Sequence, residues 1–455
     1  MRNAVESFQT WHARVAPRFR FMSEALLNIG SANSSAQIRA LAFYLPQFHP
    51  IPENDEWWGK GFTEWRNVTQ AKPLFPGHDQ PNLPADLGFY DLRLPEVREA
   101  QAEMARQHGI HGFCYYHYWF NGRRILERPF NEVLESGQPE IPFCLCWANE
   151  NWTRVWDGGE KNVLLEQRYS PDDDQAHIES LIPAFRDPRY IRVDGKPLFL
   201  VYRTELLPDP AATAKRWRDV AVAAGLPGLY LVRVEGFQRD IDPASIGFDA
   251  AVEFAPDTTS GSAGYMQEPL VYAMSRLGLM PEVFAGRRVF TYQSVARSMA
   301  ARGAASYKRF RCVAPMWDNT ARRGLRGTIY TGSTPGLYEH WLRQSLRQTV
   351  QERQGEERLI FINAWNEWAE GCHLEPGLRW GHQYLQATRS ALTASSDVSV
   401  PELHHAAPPV RGGEPDVPSA PRLLRAYWQL RESAVKWVGV GRQMRHRIAS
   451  RLMPK

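Results

Sequence analysis

The sequence lacks any long apolar run. Within its 455 residues, no stretch approaches the ~20 consecutive apolar residues that a membrane-spanning helix needs. The first part of the chain also lacks the apolar core of a secretion signal, because Arg14, Arg18, Arg20 and Glu24 interrupt it. We therefore expect neither a membrane-spanning nor an exported protein, and we predict a cytoplasmic location.

Cysteine is scarce, and its pattern argues against cross-links. The chain has five cysteines, an odd number, and four of them lie in apolar runs typical of strands. The five are Cys114, Cys144, Cys146, Cys312 and Cys372. This pattern predicts reduced cysteines in a protein core and disfavours both a disulfide framework and a zinc site.

Several catalytic motifs are missing as well. The sequence contains no P-loop, no GxSxG nucleophile turn and no HExxH zinc motif. The acidic run Asp172-Asp-Asp174 is the nearest match to the Asp-x-Asp metal motif of sugar-nucleotide transferases. It follows Ser170-Pro171 and precedes a helical pattern, so we interpret it as the capped first turn of a helix. We predict no metal and no cofactor.

Aromatic residues, in contrast, are abundant, with 16 Trp, 17 Tyr and 21 Phe. Many stand beside polar residues at the ends of apolar runs, as in Tyr115-Tyr-His-Tyr-Trp119. A ligand-binding cleft needs flat apolar faces at such places. The remaining composition, 43% hydrophobic and 23% charged, is typical of a soluble globular protein.

Eight short apolar runs, most of them followed by a helical pattern, predict the fold. The runs are residues 38–48, 112–119, 141–149, 197–203, 229–235, 249–254, 311–318 and 359–368. Helical patterns cover 94–108, 170–185, 210–224, 293–302 and 336–351. This alternation favours a (β/α)8 barrel, an α/β fold of the TIM type, with long inserted loops at 53–86 and 257–310. A doubly wound sheet is the alternative, but its glycine-rich turn is absent after the first run.

Polar and aromatic residues recur at the ends of these runs, where barrel enzymes carry their active sites. We expect them to bind substrate in one cleft. The predicted substrate-binding residues are Tyr44, Gln47, His49, Trp58, His117, Trp119, Trp147, Asn149, Glu150, Trp152, Tyr202, Arg233, Glu235, Glu253, Trp317, Asp318, Asn363, Trp365 and Asn366.

The last run ends in two carboxylates three residues apart, Glu367 and Glu370, beside two tryptophans and two asparagines. Cleavage of a glycosidic bond needs a proton donor for the leaving oxygen and a second carboxylate at the anomeric centre. Tryptophan can supply a platform for sugar C–H surfaces, and a dry wall can raise the pKa of a glutamic acid. We therefore predict that Glu367 and Glu370 are catalytic.

The composition changes after the barrel. We divide the chain into an N-terminal extension (1–37), the barrel (38–392), a Pro-rich linker (393–421) and a basic tail (422–455). The tail has seven Arg and two Lys against Glu432, a local charge of +8 within a total of +4. Its apolar residues form one stripe at helical spacing. Docking onto the barrel, contact with an anionic membrane and self-association remain alternatives for this predicted helix.

Four motifs carry a resemblance to a known family. They are Phe43-Tyr-Leu-Pro-Gln-Phe-His49, the run 54–65 with Trp-Trp-Gly-Lys-Gly-Phe-Thr-Glu-Trp, Trp147-Ala-Asn-Glu-Asn-Trp152 and Trp365-Asn-Glu-Trp-Ala-Glu-Gly371. Over residues 38–390 the chain resembles the glycoside hydrolase family 99-like proteins, most closely their WbsX branch from bacterial surface-polysaccharide loci. The linker and the tail lie outside the resemblance.

The resemblance implies a (β/α)8 barrel that acts on an oligosaccharide or polysaccharide, with retaining cleavage of α-mannoside-type linkages in the relatives. It implies that Glu370 is the general acid/base and that Glu367 assists at the sugar 2-hydroxyl, through a 1,2-anhydro-sugar. Because the branch has also been labelled glycosyltransferase, transfer to a sugar hydroxyl is the alternative within enzymes. A non-catalytic glycan-binding barrel is the alternative from another class. Nucleic-acid binding is disfavoured, since the basic excess is confined to the tail.

Overall fold

The computed structural model describes residues 37–154, 159–257, 269–286 and 288–396. The predicted N-terminal extension, apart from its last residue, lies outside this part of the chain. The Pro-rich linker and the basic tail lie beyond its other end, except for 393–396. The predictions for these segments therefore stay predictions.

Eight parallel strands close into a barrel, which confirms the predicted fold. They are β1 (Arg39–Tyr44), β2 (Gly112–Phe120), β3 (Phe143–Trp147), β4 (Lys196–Val201), β5 (Tyr230–Glu235), β6 (Ala250–Glu253), β7 (Arg309–Val313) and β8 (Leu359–Ile362). Each strand pairs with its neighbours in sequence order, and β1 pairs with β8 to complete the ring. In that closing pair, Ala42 lies opposite Ile362.

Most predicted strands extend past the observed ones at their carboxyl ends. The run 359–368, for example, pairs in the barrel only as far as Ile362. The residues that follow are polar or aromatic and leave the sheet as loops. The strands themselves are buried along nearly their whole length, as expected for a parallel sheet covered on both faces.

The barrel interior is filled by aromatic rings. The Phe43 ring lies 5.6 Å from Tyr116, 5.7 Å from Phe361 and 5.7 Å from Phe254. Because β1 and β6 are not neighbours in the sheet, the contact between Phe43 and Phe254 must pass through the middle of the barrel. These residues therefore identify the inward-facing side of β1, β2 and β8 and of the segment that follows β6.

Eleven α-helices are present among the described residues. They are α1 (Pro52–Trp58), α2 (Glu64–Gln70), α3 (Pro95–Gln107), α4 (Arg128–Ser136), α5 (Pro171–Arg186), α6 (Pro210–Ala223), α7 (Pro269–Arg276), α8 (Tyr292–Ala300), α9 (Thr320–Arg323), α10 (Pro335–Glu352) and α11 (Gln383–Ser396). The five predicted helices are confirmed as α3, α5, α6, α8 and α10, with ends that differ by at most two residues.

Local chemistry explains where these helices begin. Proline occupies the first turn of α3, α5, α6 and α10, where its missing N–H has no helical partner. At α5, the Ser170 side chain accepts a hydrogen bond of 3.1 Å from the Asp173 N–H. The capping interpretation of Asp172–Asp174 is thereby confirmed, and these carboxylates lie in the first turn.

Two long insertions follow β1 and β6, as predicted. The first carries α1 and α2. The second carries α7 and a short strand, Val289–Thr291, that pairs in parallel with Ile329–Thr331. Phe75 from the first insertion packs with Val271, Phe284 and Ile329 in a small core beside the barrel. The remaining short strands are Arg123–Ile125, Trp152–Arg154, Gly159–Leu165, Arg192–Val193, Asn366–Glu367 and Cys372–His373.

All five cysteines are buried and free, which agrees with the prediction that they are reduced core residues. In the described part of the chain, no helix combines the length and the apolar composition that crossing a bilayer requires.

Candidate active site

Glu367 and Glu370 lie in a tight hairpin that follows β8. Asn366–Glu367 pairs antiparallel with Cys372–His373, and Trp368–Glu370 forms one turn of 3-10 helix between them. The hairpin stands at the carboxyl end of the barrel, where neighbouring loops converge. Both glutamates therefore lie at the face that carries catalysis in barrel enzymes.

Gly371 lets this turn pack directly against the loop after β7. Its φ of +53° is in the left-handed region that favours glycine. An added Cβ would stand 3.0 Å from the Asp318 carbonyl oxygen and 3.1 Å from the Asn82 side-chain nitrogen. On the same side, the Asp318 N–H donates a 2.7 Å hydrogen bond to the Glu370 carbonyl. The loop after β7 thus fixes the backbone of Glu370.

One guanidinium group binds both glutamates. Arg322, on α9, donates from one terminal nitrogen to Glu367 at 2.9 Å and pairs through the other with Glu370 at 2.8 Å. Its Nε donates to Glu64, on α2, at 3.1 Å. Because Glu367 and Glu370 contact the same planar group, their carboxylates lie within a few ångströms of each other. The exposed fraction of the side chain is 7% for Glu367 and 21% for Glu370.

The surroundings favour a proton on this pair. Burial raises the pKa of Glu367 to about 8, with Arg322 opposing the shift and the carboxylates of Glu370 and Glu64 adding to it. Burial also raises the pKa of Glu370. At neutral pH we therefore expect one proton on the pair, which gives one carboxylic acid and one carboxylate.

Inward-facing aromatic residues line the mouth beside the pair. Tyr116 lies on the inner face of β2, and burial together with the neighbouring Tyr202, Glu367 and Glu370 raises its pKa. One side chain further along β2, the Tyr118 hydroxyl accepts a 3.3 Å hydrogen bond from Gln47. The aromatic wall beside the pair therefore presents hydroxyl groups on apolar rings.

Three predicted substrate-binding residues belong to this wall. Tyr202 lies with its ring 6.2 Å from Tyr116, and the Trp152 ring lies 5.3 Å from Tyr118. The side-chain oxygen of Gln47 is buried and has no hydrogen-bond partner in the part of the chain that the structure describes. These three residues join the glutamate pair as expected.

Three more predicted substrate-binding residues lie at the rim of the cleft or beside it: Glu150, Trp58 and Trp317. Glu150 is partly exposed and forms an ion pair with Arg203. Trp58, on α1, packs near Phe62 at 6.0 Å, whereas its neighbour Trp57 approaches Trp152 at 5.8 Å. Trp317 is buried after β7, and its indole N–H has no hydrogen-bond partner among the described residues.

Other predicted residues face the helices instead of the cleft. The His117 and His177 rings stack and share a 2.9 Å hydrogen bond, and Trp119 donates to Asp173 at 2.9 Å. The Trp147 ring lies 4.6 Å from His177. Because His177 and Asp173 belong to α5, this corrects the expectation that His117, Trp119 and Trp147 line the cleft. They pack the outer face of β2 and β3.

Tyr44 also lies on the outer face of its strand, so the expectation that it lines the cleft is wrong as well. Its hydroxyl donates a 2.7 Å hydrogen bond to Gln101 on α3, and Gln101 donates to Glu375 at 2.6 Å. Glu375 also accepts from Trp368 at 2.6 Å, and burial raises the pKa of Glu375 to about 7. This chain of contacts supports, from the outer side, the hairpin that carries Glu367 and Glu370. Trp365, completely buried 5.1 Å from the Phe113 ring, belongs to the same outer layer.

Arg233, Glu235 and Glu253 form a buried ion-pair cluster on the outer face of β5–β7. Arg233 lies 3.2 Å from Glu235, and Glu253 lies 3.3 Å from Arg311 and 3.4 Å from Arg309. Arg311 also pairs with Glu352 on α10, which stands outside the barrel. The predicted binding role of these three residues is therefore replaced by a structural one.

The remaining predicted residues hold loops together through hydrogen bonds within the protein. Asn363 Oδ1 and His49 Nε2 are nevertheless buried with no hydrogen-bond partner among the described residues. Asn149 exchanges two 2.8 Å hydrogen bonds with the Arg203 backbone, and Asn366 binds the Leu45 backbone at 2.7 and 3.0 Å. The other contacts are those of Asp318 with His78 (2.6 Å), Asn363 with the Ala255 carbonyl (2.7 Å) and His49 with the Pro46 carbonyl (2.9 Å). Burial lowers the pKa of His49 to about 4.

Four residues of the site were absent from the prediction: Arg322, Glu64, Tyr116 and Tyr118. A signal existed for the tyrosines, because they alternate with His117 and Trp119 on the opposite face of the same strand. Arg322 follows the polar end of the seventh apolar run, and Glu64 lies in the quoted motif 54–65. Neither position by itself indicates contact with Glu367 or Glu370.

Comparison with known proteins identifies the family of this chain. The family model described as glycosyltransferase WbsX matches residues 40–388. The uncharacterized protein WxcX of Xanthomonas campestris pv. campestris strain B100 is 49% identical over 359 residues, which cover 79% of this chain and 50% of that protein. WxcX of strain ATCC 33913 is 48% identical over the same shares. The chain thus spans about half the length of the curated relatives it matches.

Two solved structures are similar at lower levels. The GH99 endo-alpha-mannosidase from Bacteroides thetaiotaomicron has 15% identity and a TM-score of 0.49, over 79% of this chain and 97% of that one. A glycoside hydrolase-like protein has 15% identity and a TM-score of 0.47, over 79% and 95%. The match of the family model over most of the barrel, together with the identity to WxcX, shows that this chain belongs to the WbsX family.

Proposed function

We propose that this protein is a carbohydrate-active enzyme of bacterial surface-polysaccharide metabolism that cleaves an α-linked, mannose-like glycan with retention of configuration. The observation that carries the proposal is the pair of carboxylates on one guanidinium at the carboxyl end of the barrel, with Glu367 buried and Glu370 partly exposed. A pair with one proton contains both groups that glycoside cleavage uses. The aromatic wall of Tyr116, Tyr118 and Tyr202 supplies apolar faces for sugar rings.

The exposure of the two glutamates supports a division of labour. Glu370 is the more exposed, so a leaving-group oxygen can reach it, and we assign it the proton that goes to that oxygen. Glu367 lies deeper, and we assign it the base that acts on the sugar 2-hydroxyl. A hydroxyl that donates a hydrogen bond to Glu367 favours the ionised form of Glu367 and leaves the proton on Glu370. The 2-hydroxyl oxygen would then attack the anomeric carbon as the bond to the leaving oxygen breaks.

The deciding experiment is a screen of the purified chain against defined α-linked mannose and rhamnose oligosaccharides, with product configuration followed by NMR. Release of a product with retained configuration is expected. Inverted product would contradict the proposed mechanism, because direct attack by water inverts the anomeric centre. Absence of any cleavage or transfer across the panel would count against the substrate class.

Glycosyl transfer is the second candidate, and the description of the matched family favours it. The same two glutamates would release the donor's leaving group, and a sugar hydroxyl would replace water as acceptor. Adding an acceptor oligosaccharide to the screen separates the two functions. Product formation that depends on acceptor favours a transferase, whereas equal turnover without acceptor favours a hydrolase. A third candidate, a non-catalytic glycan-binding barrel, would bind glycans in the screen without turnover.

A further inference from the structure

Glu64 is a third carboxylate at the same guanidinium, outside the hairpin that carries the catalytic pair. It belongs to α2, in the insertion after β1, and its side chain has no exposed surface. Arg322 reaches it from α9, in the loop after β7. The side chain of Arg322 is 13% exposed, so water screens these contacts only weakly. Three loops of the barrel therefore meet at one cation.

The charges at this point do not balance if every group is ionised. Arginine keeps its charge throughout the ordinary pH range. Three ionised carboxylates around one guanidinium would leave a net charge of −2 in a buried site, whereas two would leave −1. Retaining one proton reduces this excess. Whether that proton stays on the catalytic pair depends on how much of the arginine's charge Glu64 offsets.

We infer that Glu64 and Arg322 are positioning residues that set the number of protons on the Glu367–Glu370 pair. Arg322 draws the two carboxylates to its terminal nitrogens. Glu64 occupies the remaining edge of the guanidinium, orients it and offsets its charge, so that the pair retains one proton at neutral pH. This inference rests on the proposed function only for its effect on activity. The proton count itself can be measured without a substrate.

The other titratable groups around the Glu367–Glu370 pair do not change their charge near neutral pH. The role of setting the number of protons on the pair therefore falls to Glu64 and Arg322. Among the described residues, the titratable and charged groups of neighbouring elements that interact electrostatically with the pair include Tyr116 and Tyr118 of β2, Tyr202 after β4, Arg323 of α9 and Cys372 of the hairpin. Burial raises the pKa of each tyrosine and of the Cys372 thiol, so these groups stay neutral. Arg323 keeps a constant charge.

The test is a pH titration of the glutamate side-chain carboxyls by carbon-13 NMR in the full chain, with no ligand. In Glu64→Gln, no third carboxylate offsets the charge of Arg322, so this charge acts on the Glu367–Glu370 pair alone. The titration midpoint of the pair should therefore fall by about 1 pH unit or more. Arg322→Gln removes the cation that binds both glutamates, so the midpoint should rise by a similar amount. Arg322→Lys keeps a charge but cannot bind three carboxylates at once, and it should give a smaller rise.

Glu56→Gln, at an exposed position of α1, is the matched control for loss of one carboxylate and should leave the midpoint unchanged. Midpoints that move in opposite directions in Glu64→Gln and Arg322→Gln support the inference, because a purely structural contact would not produce them. An unchanged midpoint in either variant, or shifts in the same direction, would overturn it. If Glu64→Gln does not fold, the direction found in Arg322→Lys decides.

Activity then separates this inference from the proposed function. With a substrate from the glycan screen, the alkaline limb of the pH profile should move in parallel with the NMR midpoint in each variant. Opposite midpoint shifts in a protein that turns over no glycan would support the proton-setting role and contradict the proposed function. Glycan turnover by a protein whose NMR midpoint does not move in the variants would support the proposed function and contradict the proton-setting role.

Discussion

At the scale of single residues, Glu367 and Glu370 differ in what their chemistry requires. Replacing Glu370 by Gln removes the proposed proton donor and preserves the shape of the side chain. We expect turnover of substrates with poor leaving groups to fall by about 10²–10⁴-fold, with a smaller loss for activated leaving groups that depart without a proton. Glu367→Gln should impair both kinds of substrate, since its step precedes the departure of either group. Steady-state rates on both substrate types test the assignment, and turnover like that of the wild type in either variant would refute it.

The buried carboxyl of Glu367 also makes a prediction about stability. Its pKa in the folded protein, about 8, lies above the ordinary value of 4.5. The folded state therefore binds this proton more tightly than the unfolded state does, and the corresponding stabilisation is lost as pH rises from about 4.5 through 8. Glu367→Gln, which cannot ionise, should match the wild type near pH 5 and melt at least about 3 °C higher near pH 9.

Thermal melts of both proteins across this pH range measure the effect. The exposed Glu56→Gln variant provides the control, and its melting temperature should follow that of the wild type at every pH. A difference between Glu367→Gln and the wild type that is independent of pH, or that grows toward acid pH, would contradict the raised pKa.

At the scale of elements, the two faces of β2 divide stability from function. Trp119, on the outer face, stacks on His177 and binds Asp173. Trp119→Ala should cost about 3–5 kcal/mol of stability, as is usual for large buried side chains. Tyr118→Phe, one residue away on the inner face, removes one hydroxyl from the cleft. It should leave stability nearly unchanged and weaken kcat/KM about 2- to 10-fold through one lost hydrogen bond.

Denaturant unfolding and steady-state kinetics of these two adjacent variants measure both quantities. The predicted pattern is a large stability loss with retained catalytic efficiency per folded molecule for Trp119→Ala, and the opposite for Tyr118→Phe. If Tyr118→Phe were the more unstable of the two, the division between the faces would be wrong.

The hairpin that carries Glu367 and Glu370 is a second element whose geometry can be tested. Gly371→Ala would place a methyl group against the Asp318 carbonyl oxygen at a positive φ. We expect a loss of about 1–3 kcal/mol in stability and a larger relative loss of kcat, because the backbone of Glu370 would shift. Gly381→Ala serves as control, since it shares a positive φ of +49° but has open space at the Cβ position. If both variants lost activity equally, backbone strain at a positive φ would explain the effect, and the contact with Asp318 would not.

At the scale of the whole molecule, the basic tail at 422–455 remains a separate prediction, because it lies outside the described residues. Its charge of +8 and its apolar stripe lead us to propose reversible contact with an anionic membrane surface. Each basic residue near such a surface contributes about 1 kcal/mol, so a few suffice at low salt, and high salt should release the protein.

Co-sedimentation with anionic vesicles, using the intact chain and one truncated after residue 421, measures this contact. The intact chain should pellet at low salt and the truncated chain should stay in the supernatant. The truncated chain should melt like the intact one, because the Pro-rich linker predicts few contacts with the barrel. Equal behaviour of the two chains with vesicles would favour docking or self-association instead.

The sequence by itself determined the barrel and the catalytic candidates. Eight apolar runs alternating with helical patterns leave few ways to bury every strand on both faces, and the closed (β/α)8 barrel is one of them. Glu367 and Glu370 stand out because both carboxylates come from one short segment beside aromatic residues. Local signals also located α5, whose serine cap and acidic first turn lie next to each other in the chain.

Tertiary structure alone decided which polar residues share the site. At the end of a strand, adjacent residues point to opposite faces, so His117 and Tyr118 have different surroundings although both belong to the same aromatic run. Whether a given position faces the cleft depends on the tilt and register of the closed barrel, which a single strand does not encode. Arg322 and Glu64 come from two other loops, and only closure of the ring brings their charges to the glutamates. That contact is electrostatic and long-range in sequence, so no local pattern records it.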